Sequence, residues 1–204
     1  VNKVWYLGYS IIKNKTLQTS HSQSEIDNFR LRYKSQNCLS DTTRSWKNKN
    51  IVVLVMEGWS YDMVQYLGGH ERITPHFDSL SRISLRFTNA FSTGFRTDQG
   101  LLSIISGIPS VGGFNMANQP EKVQYYPSIA HSMKEIGYKT SFIYGGDLNF
   151  SNLYTYLQHA KFDKIISEKD YSVEDNLTDW GVPDHIAASK AIEIMNGEHP
   201  YPFF

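Results

Sequence analysis

The run Ile51-Val52-Val53-Leu54-Val55-Met56 constrains the fold of this chain more than any other segment. Its β-branched residues follow one another without polar alternation, which predicts a strand buried on both faces of a parallel sheet. The run ends at Glu57-Gly58-Trp59-Ser60, so a carboxylate stands at the strand's C-terminal end. That is the edge at which open α/β sheets bind ligands. Residues 139–144 predict a second strand, again followed by a carboxylate, in Gly145-Gly146-Asp147. Residues 85–91 alternate apolar and polar and predict a third strand.

Helical stretches fall between and after these runs. One covers Thr74-Pro75-His76-Phe77-Asp78-Ser79-Leu80-Ser81-Arg82, with Pro75 suited to a first helical turn. Another opens within Ser92-Thr93-Gly94-Phe95-Arg96-Thr97-Asp98-Gln99-Gly100 and ends at Gly107, followed by Pro109. Residues 128–136, closed by Gly137, and residues 152–160 and 183–195 also read as helices. Strands alternating with helices predict an α/β fold, a mostly parallel sheet with helices on both faces.

The chain changes character at Asn50. Residues 1–50 hold nine basic and three acidic residues, an excess of six, although the 204-residue chain as a whole is neutral, with 20 Lys+Arg against 20 Asp+Glu. The remainder is correspondingly acidic. Residues 1–49 therefore read as a polar basic linker or wrapping arm, distinct from residues 50–204. A helix is expected over 24–35, capped by Ser24. Such an arm either lies near anionic lipid headgroups or forms a solvated connector.

Overall neutrality excludes a strongly basic nucleic-acid binder. No window reaches the roughly 18–20 apolar residues of a membrane-spanning helix. Cys38 is the single cysteine, so neither an internal disulfide nor a Cys/His zinc cluster can form. His70, His76, His131, His159, His185 and His199 are scattered without HxH or HxxxH spacing and read as ordinary histidines. Gly112-Gly113 is a loop rather than a dinucleotide fingerprint. The glycosylation sequons at Asn14 and Asn176 are common by chance.

Two positions invite chemistry: Glu57 after the first strand, and Arg96-Thr97 at the start of a helix. A helix N-terminus presents free N–H groups and positive dipole to an anion. A hydroxyl there becomes a nucleophile if a metal lowers its pKa. A neighbouring carboxylate suits that metal, and Arg96 suits phosphate or sulfate oxygens. Spacing alone leaves plainer roles open. Thr97 reads also, and by spacing alone more readily, as a helix N-cap, while Glu57 reads equally as a strand-end carboxylate holding a backbone turn.

Four stretches, in order, carry a resemblance. Val52-Val53-Leu54-Val55-Met56-Glu57-Gly58-Trp59-Ser60 resembles the VxxxxES-type opening of the lipoteichoic acid synthase-like, sulfatase-related branch of the alkaline phosphatase superfamily. Thr74-Pro75-His76-Phe77-Asp78-Ser79-Leu80 is similar to that branch's TPNLDxL. Gly94-Phe95-Arg96-Thr97-Asp98-Gln99-Gly100, with Ser106-Gly107-Ile108-Pro109, resembles its nucleophile loop and helix. Tyr144-Gly145-Gly146-Asp147 corresponds to its HGD/YGGD segment, and Trp180-Gly181-Val182 and Pro202-Phe203-Phe204 match more weakly. The resemblance spans about residues 50–204.

The resemblance implies that residues 50–204 are the N-terminal part of a sulfatase-like catalytic domain with the alkaline phosphatase-like fold, a mostly parallel sheet with helices on both faces. Glu57 and Thr97 are then metal ligands, Thr97 is also the nucleophile, and Arg96 and Asp147 bind substrate. It further implies a divalent metal, Mn2+ first and Mg2+ or Zn2+ as alternatives. The reaction would move a phosphoglycerol-type group from an anionic phospholipid to a glycan or glycerol-type hydroxyl, through a phosphothreonine. The implied location is the cell membrane, the catalytic domain extracellular or periplasmic. Membrane-spanning segments would precede residue 1, and the remaining ligands, an Asp-His pair, would follow Phe204. Asn152 and Tyr154 depart from lipoteichoic acid synthases, which place a Trp and an Arg there. A phosphate or sulfate ester hydrolase and a non-catalytic binding relative are the alternatives. An orthodox sulfatase is disfavoured, because neither Cys38 nor any serine fits the Cys/Ser-x-Pro-x-Arg pattern.

Overall fold

Two short parallel strands, β1 (Ser141–Ile143) and β2 (Lys164–Ile166), set the positions of the elements around the candidate site. The computed structural model describes residues 22–32, 48–88, 90–94, 96–109, 120–175, 178–197 and 200–204. In register, Ser141 faces Lys164, Phe142 faces Ile165 and Ile143 faces Ile166. On the other side of β1, Lys139 N–H donates to Pro202 O at 3.0 Å, and Ser141 N–H donates to Phe204 O at 2.8 Å. Phe204 N–H returns a bond to Lys139 O at 2.8 Å, so 202–204 occupies a third parallel position. Ile51 N–H donates to Phe203 O at 2.9 Å and carries the ladder one position further.

The chain divides into two units, Val1–Trp46 and Lys47–Phe204. Of the first, the described part is helix α1 (Gln23–Arg32). Its start departs from the expectation of a Ser24 cap. Ser22 caps it, through a 2.8 Å bond from Ser22 N–H to Glu25 Oε2 and a 3.3 Å bond from Glu25 N–H to Ser22 Oγ. Ser22-Gln23-Ser24-Glu25 is a Ser-x-x-Glu capping box, which satisfies two free donors at once and so prevails over a single cap. Cys38, Gly112-Gly113 and most of the expected arm lie outside the described residues.

In the second unit, two expected strands are corrected. Residues 51–56 run extended, but only Ile51 donates to a neighbouring strand. The side chains that were to be buried on both faces are exposed, Val52 by 62% and Leu54 by 78%. A strand is made by its neighbour's hydrogen bonds. β-branched residues supply only the extended backbone. Residues 85–91 fail as a strand for the same reason. Leu85, Phe87 and Phe91 are exposed, and no ladder forms among the described residues.

The helices follow their local signals. Helix α2 (Pro75–Arg82) begins with its proline, and α3 (Thr97–Ser106) stops at Gly107, whose φ of 67° is left-handed. A single turn, α4 (Pro120–Val123), precedes α5 (Ile129–Glu135), which Ser128 caps through His131 N–H. Helix α6 (Leu153–His159) leads into β2, and α7 (Asp184–Met195) precedes the terminal strand segment.

Leu101, Leu102 and Ile105 of α3 pack with Val123, Leu148, Leu153, Tyr156, Leu157 and Ala160 into one core. Phe142 and Ile165, one from each paired strand, close it from the sheet side. Burial of this set holds α3 in place and with it the first turn that carries Thr97. Thr140 is fully buried at the head of β1, where its N–H donates to Asp163 Oδ2 at 2.9 Å and its hydroxyl accepts from Asp163 N–H at 3.0 Å. This reciprocal pair pins the start of β1 to the approach to β2.

Candidate active site

Helix α3 begins one residue earlier in the chain than a Thr97 cap would require. Arg96 is the N-cap, with extended backbone (φ −124°, ψ 152°), and makes no side-chain capping bond. Thr97 is therefore the first helical residue, and its hydroxyl is free of capping duty. That hydroxyl donates to Glu57 Oε1. Gly58, with φ 69°, turns the chain sharply just after Glu57. The cap reading of Thr97 is thus corrected, and so is the reading of Glu57 as a backbone-turn acceptor.

Thr97 and Glu57 place a neutral hydroxyl and an exposed carboxylate in direct contact. Both are oxygen donors, a set that suits a hard divalent cation such as Mg2+ or Mn2+ better than a soft one. The backbone N–H groups of α3's first turn add positive potential beside them. Among the described residues no group of three His, Cys, Asp or Glu side chains converges. The two donors present fit a hard divalent cation and would supply two of its ligands.

Arg96 Nε lies 3.5 Å from Asp98 Oδ1. Asp98 is buried at the second position of α3, and its other oxygen, Oδ2, is buried without a hydrogen-bond partner among the described residues. Sequence reasoning passed over Asp98, since an acid in a first turn reads as an ordinary dipole partner. Nothing local signals its burial.

Asp147 lies in the loop after β1. Its Oδ1 accepts 2.8 Å bonds from both Asn149 N–H and Asn149 Nδ2, so part of its carboxylate organises its own turn. Ser151 and Asn152 follow with left-handed φ of 55° and 54° before α6 begins. The loop is clamped from behind. Val182 N–H donates to Gly145 O at 2.7 Å, and a Cβ on Gly181 would stand 2.3 Å from that same oxygen. A Cβ on Gly146 would stand 2.8 Å from the Tyr144 ring, so this ring lies folded over the loop. Three glycines thus allow two backbones and a ring to meet where no side chain fits.

Tyr144 links the two halves electrostatically. Burial, and then the carboxylates of Glu57, Asp147 and Glu168, hold its phenol above its ordinary pKa, so it stays a neutral donor. Sequence reasoning quoted Tyr144 only as part of a motif. Its folded-back ring depends on the Gly146 contact, which is visible only in three dimensions. Asp147, by contrast, makes no hydrogen bond to Glu57 or Thr97; its own loop holds it.

A family model described as Sulfatase matches residues 49–204. A protein of the alkaline phosphatase superfamily from Vibrio parahaemolyticus is similar in structure, with 32% sequence identity and a TM-score of 0.68. The match covers 79% of this chain and 40% of that one. The lipoteichoic acid synthase LtaP from Listeria monocytogenes shares the fold at 21% identity and a TM-score of 0.63, covering 73% of this chain and 36% of that one. The chain thus spans about two fifths of the length of these structures. These similarities agree with the four motifs read from the sequence.

Proposed function

The chain belongs to the sulfatase family, with the fold of the alkaline phosphatase superfamily, and on that footing we propose that it carries the nucleophile of a metal-dependent transferase. The group transferred is of phosphoglycerol type. Its donor is an anionic phospholipid, and its acceptor is a hydroxyl on a glycan or glycerol-type molecule of the cell envelope. The observation that supports this reading is the Thr97 hydroxyl at the head of α3, in contact with Glu57.

Thr97 attacks the phospholipid's phosphorus with its oxygen. The bond from phosphorus to the diacylglycerol oxygen breaks, and diacylglycerol leaves with a proton. The glycerophosphoryl group then sits on Thr97 as a phosphothreonine. An acceptor hydroxyl attacks the same phosphorus, the bond to the threonine oxygen breaks, and Thr97 is regenerated. Arg96 and the free N–H groups of α3's first turn hold the phosphoryl oxygens. Asp147 and the neutral Tyr144 face the headgroup. A divalent cation held by Glu57 and Thr97, Mn2+ in our reading with Mg2+ or Zn2+ as alternatives, would lower the hydroxyl's pKa and neutralise charge.

In this reading the catalytic domain works at the outer face of the cell membrane. Among the described residues no helix is long and apolar enough to cross a membrane. The test uses the whole natural polypeptide, incubated with phosphatidylglycerol labelled in its headgroup. Label on a polymer or glycan, with mass-spectrometric capture of a glycerophosphoryl group on Thr97, supports transfer. Label confined to water-soluble product makes the protein a hydrolase. A Thr97→Ala variant is expected to lose more than about a hundredfold in turnover. Retained activity in that variant would remove Thr97 from the mechanism.

A further inference from the structure

Residues two apart on a helix do not face each other. Arg96 and Asp98 meet because Arg96 is extended and stands outside the helix that Asp98 has entered. The contact is lopsided: the Asp98 side chain is 4% exposed and that of Arg96 is 51% exposed. A buried carboxylate therefore faces a half-exposed guanidinium. The approach is at Nε, 3.5 Å from Asp98 Oδ1, which leaves the terminal amino groups of the planar fork available for another partner.

The arrangement is unfavourable for stability alone. Asp98 Oδ2 is buried without a partner among the described residues, and a buried acceptor left unsatisfied costs free energy that exposure to water would recover. The dipole of α3 offsets part of this, but an exposed first-turn acid would gain the same interaction without burial. We propose that Asp98 is a positioning residue, whose buried carboxylate orients Arg96 so that its terminal amino groups meet the phosphoryl oxygens beside Thr97. This inference rests on the reading of Arg96 as an anion-binding residue.

The sign of the effect separates positioning from charge. Asp98 is negative and close to Arg96, so by charge alone its removal strengthens anion binding. If Asp98 orients the fork, its removal weakens anion binding. The experiment titrates inorganic phosphate into the whole natural polypeptide at saturating Mg2+, followed by 31P line width, for the wild type and for Asp98→Asn, Arg96→Ala and Arg96→Lys. Asp98→Asn is expected to weaken phosphate binding by roughly threefold or more. In an Arg96→Lys background, which has no Nε fork, the same substitution is expected to leave affinity unchanged or raise it.

Unchanged or tighter binding in Asp98→Asn alone overturns the positioning role while leaving the anion site intact. Unchanged binding in Arg96→Ala, or none in the wild type, overturns the anion-site reading itself. A second measurement needs no variant. The Arg96 Nε–H resonance of the wild type is expected to exchange with water more slowly than that of exposed arginines. An Nε–H exchanging as fast as those would end the proposal even if Asp98→Asn fails to fold, since melting curves report that separately.

Discussion

The Thr97 hydroxyl donates to the Glu57 carboxylate across forty positions of sequence. Each side is held by different forces. Thr97 rides on α3, which the core packing of Leu101, Leu102 and Ile105 fixes. Glu57 follows an extended run anchored at Ile51 by its bond to Phe203.

This contact predicts a division between metal affinity and stability. Glu57→Gln keeps an acceptor for Thr97 and removes the charge. Mn2+ affinity, followed by electron paramagnetic resonance, is expected to fall about tenfold or more. The melting temperature is expected to stay close to the wild-type value, because the site is exposed. Equal Mn2+ affinity in the variant would exclude Glu57 as a ligand.

Gly181→Ala should damage the Asp147 loop specifically. Gly181 has φ 104° and no room for a Cβ against Gly145 O. We expect a loss of about 2–3 kcal/mol in chemical denaturation. Amide signals of 144–149 should shift, with those of α5 unaffected. A wild-type denaturation midpoint would show that the clamp yields without strain.

The Tyr156 phenol, 2.6 Å from Ser106 Oγ in the core, governs the alkaline limit. Burial pushes its pKa up to about 12, against a lowering by the Ser106 hydrogen bond. A folded-state value above the unfolded one means the stability is whole below pH 10 and is lost as pH rises toward 12. The loss on this account is about 3 kcal/mol. Tyr156→Phe should cost about 1–2 kcal/mol at pH 7 by leaving Ser106 unpaired, and should flatten the alkaline limb. An identical alkaline limb in the variant would assign that loss to other groups.

At the acid end the relevant group is Asp163. Burial works to raise its pKa, but hydrogen bonds from Lys134 and Thr140 outweigh it and hold the carboxyl below its ordinary value. The sign is the reverse of the tyrosine case. Stability is present above about pH 4 and is lost as pH falls through the depressed value. Asp163→Asn is expected to cost about 1–2 kcal/mol at pH 7 and to weaken the acid dependence seen in urea melts. An unaltered acid limb would rule this carboxyl out as its source.

Where local chemistry decides the outcome, the sequence was readable. Pro75 starts α2, Gly107 stops α3 and Ser128 caps α5, each acting within one turn of the residues it affects. Arg96 and Thr97 were placed at a helix start for a related reason, since a helix start is a local event, whereas Glu57 follows an extended run that is not a paired strand. The strands over 51–56 and 85–91 were misread because β-branching expresses a backbone preference, while pairing and burial need a neighbour.

By itself, the sequence determined the α/β class, the start of α2, the stop of α3, the cap of α5 and the residue types on offer, down to the motif order that marks the family. Only the tertiary structure decided that Thr97 is freed from capping and turned to Glu57, that Asp98 is buried beneath Arg96, and that Gly181 closes on Gly145. The reason is range. Capping and periodicity act over three or four residues, whereas these contacts depend on core packing between elements far apart in the chain.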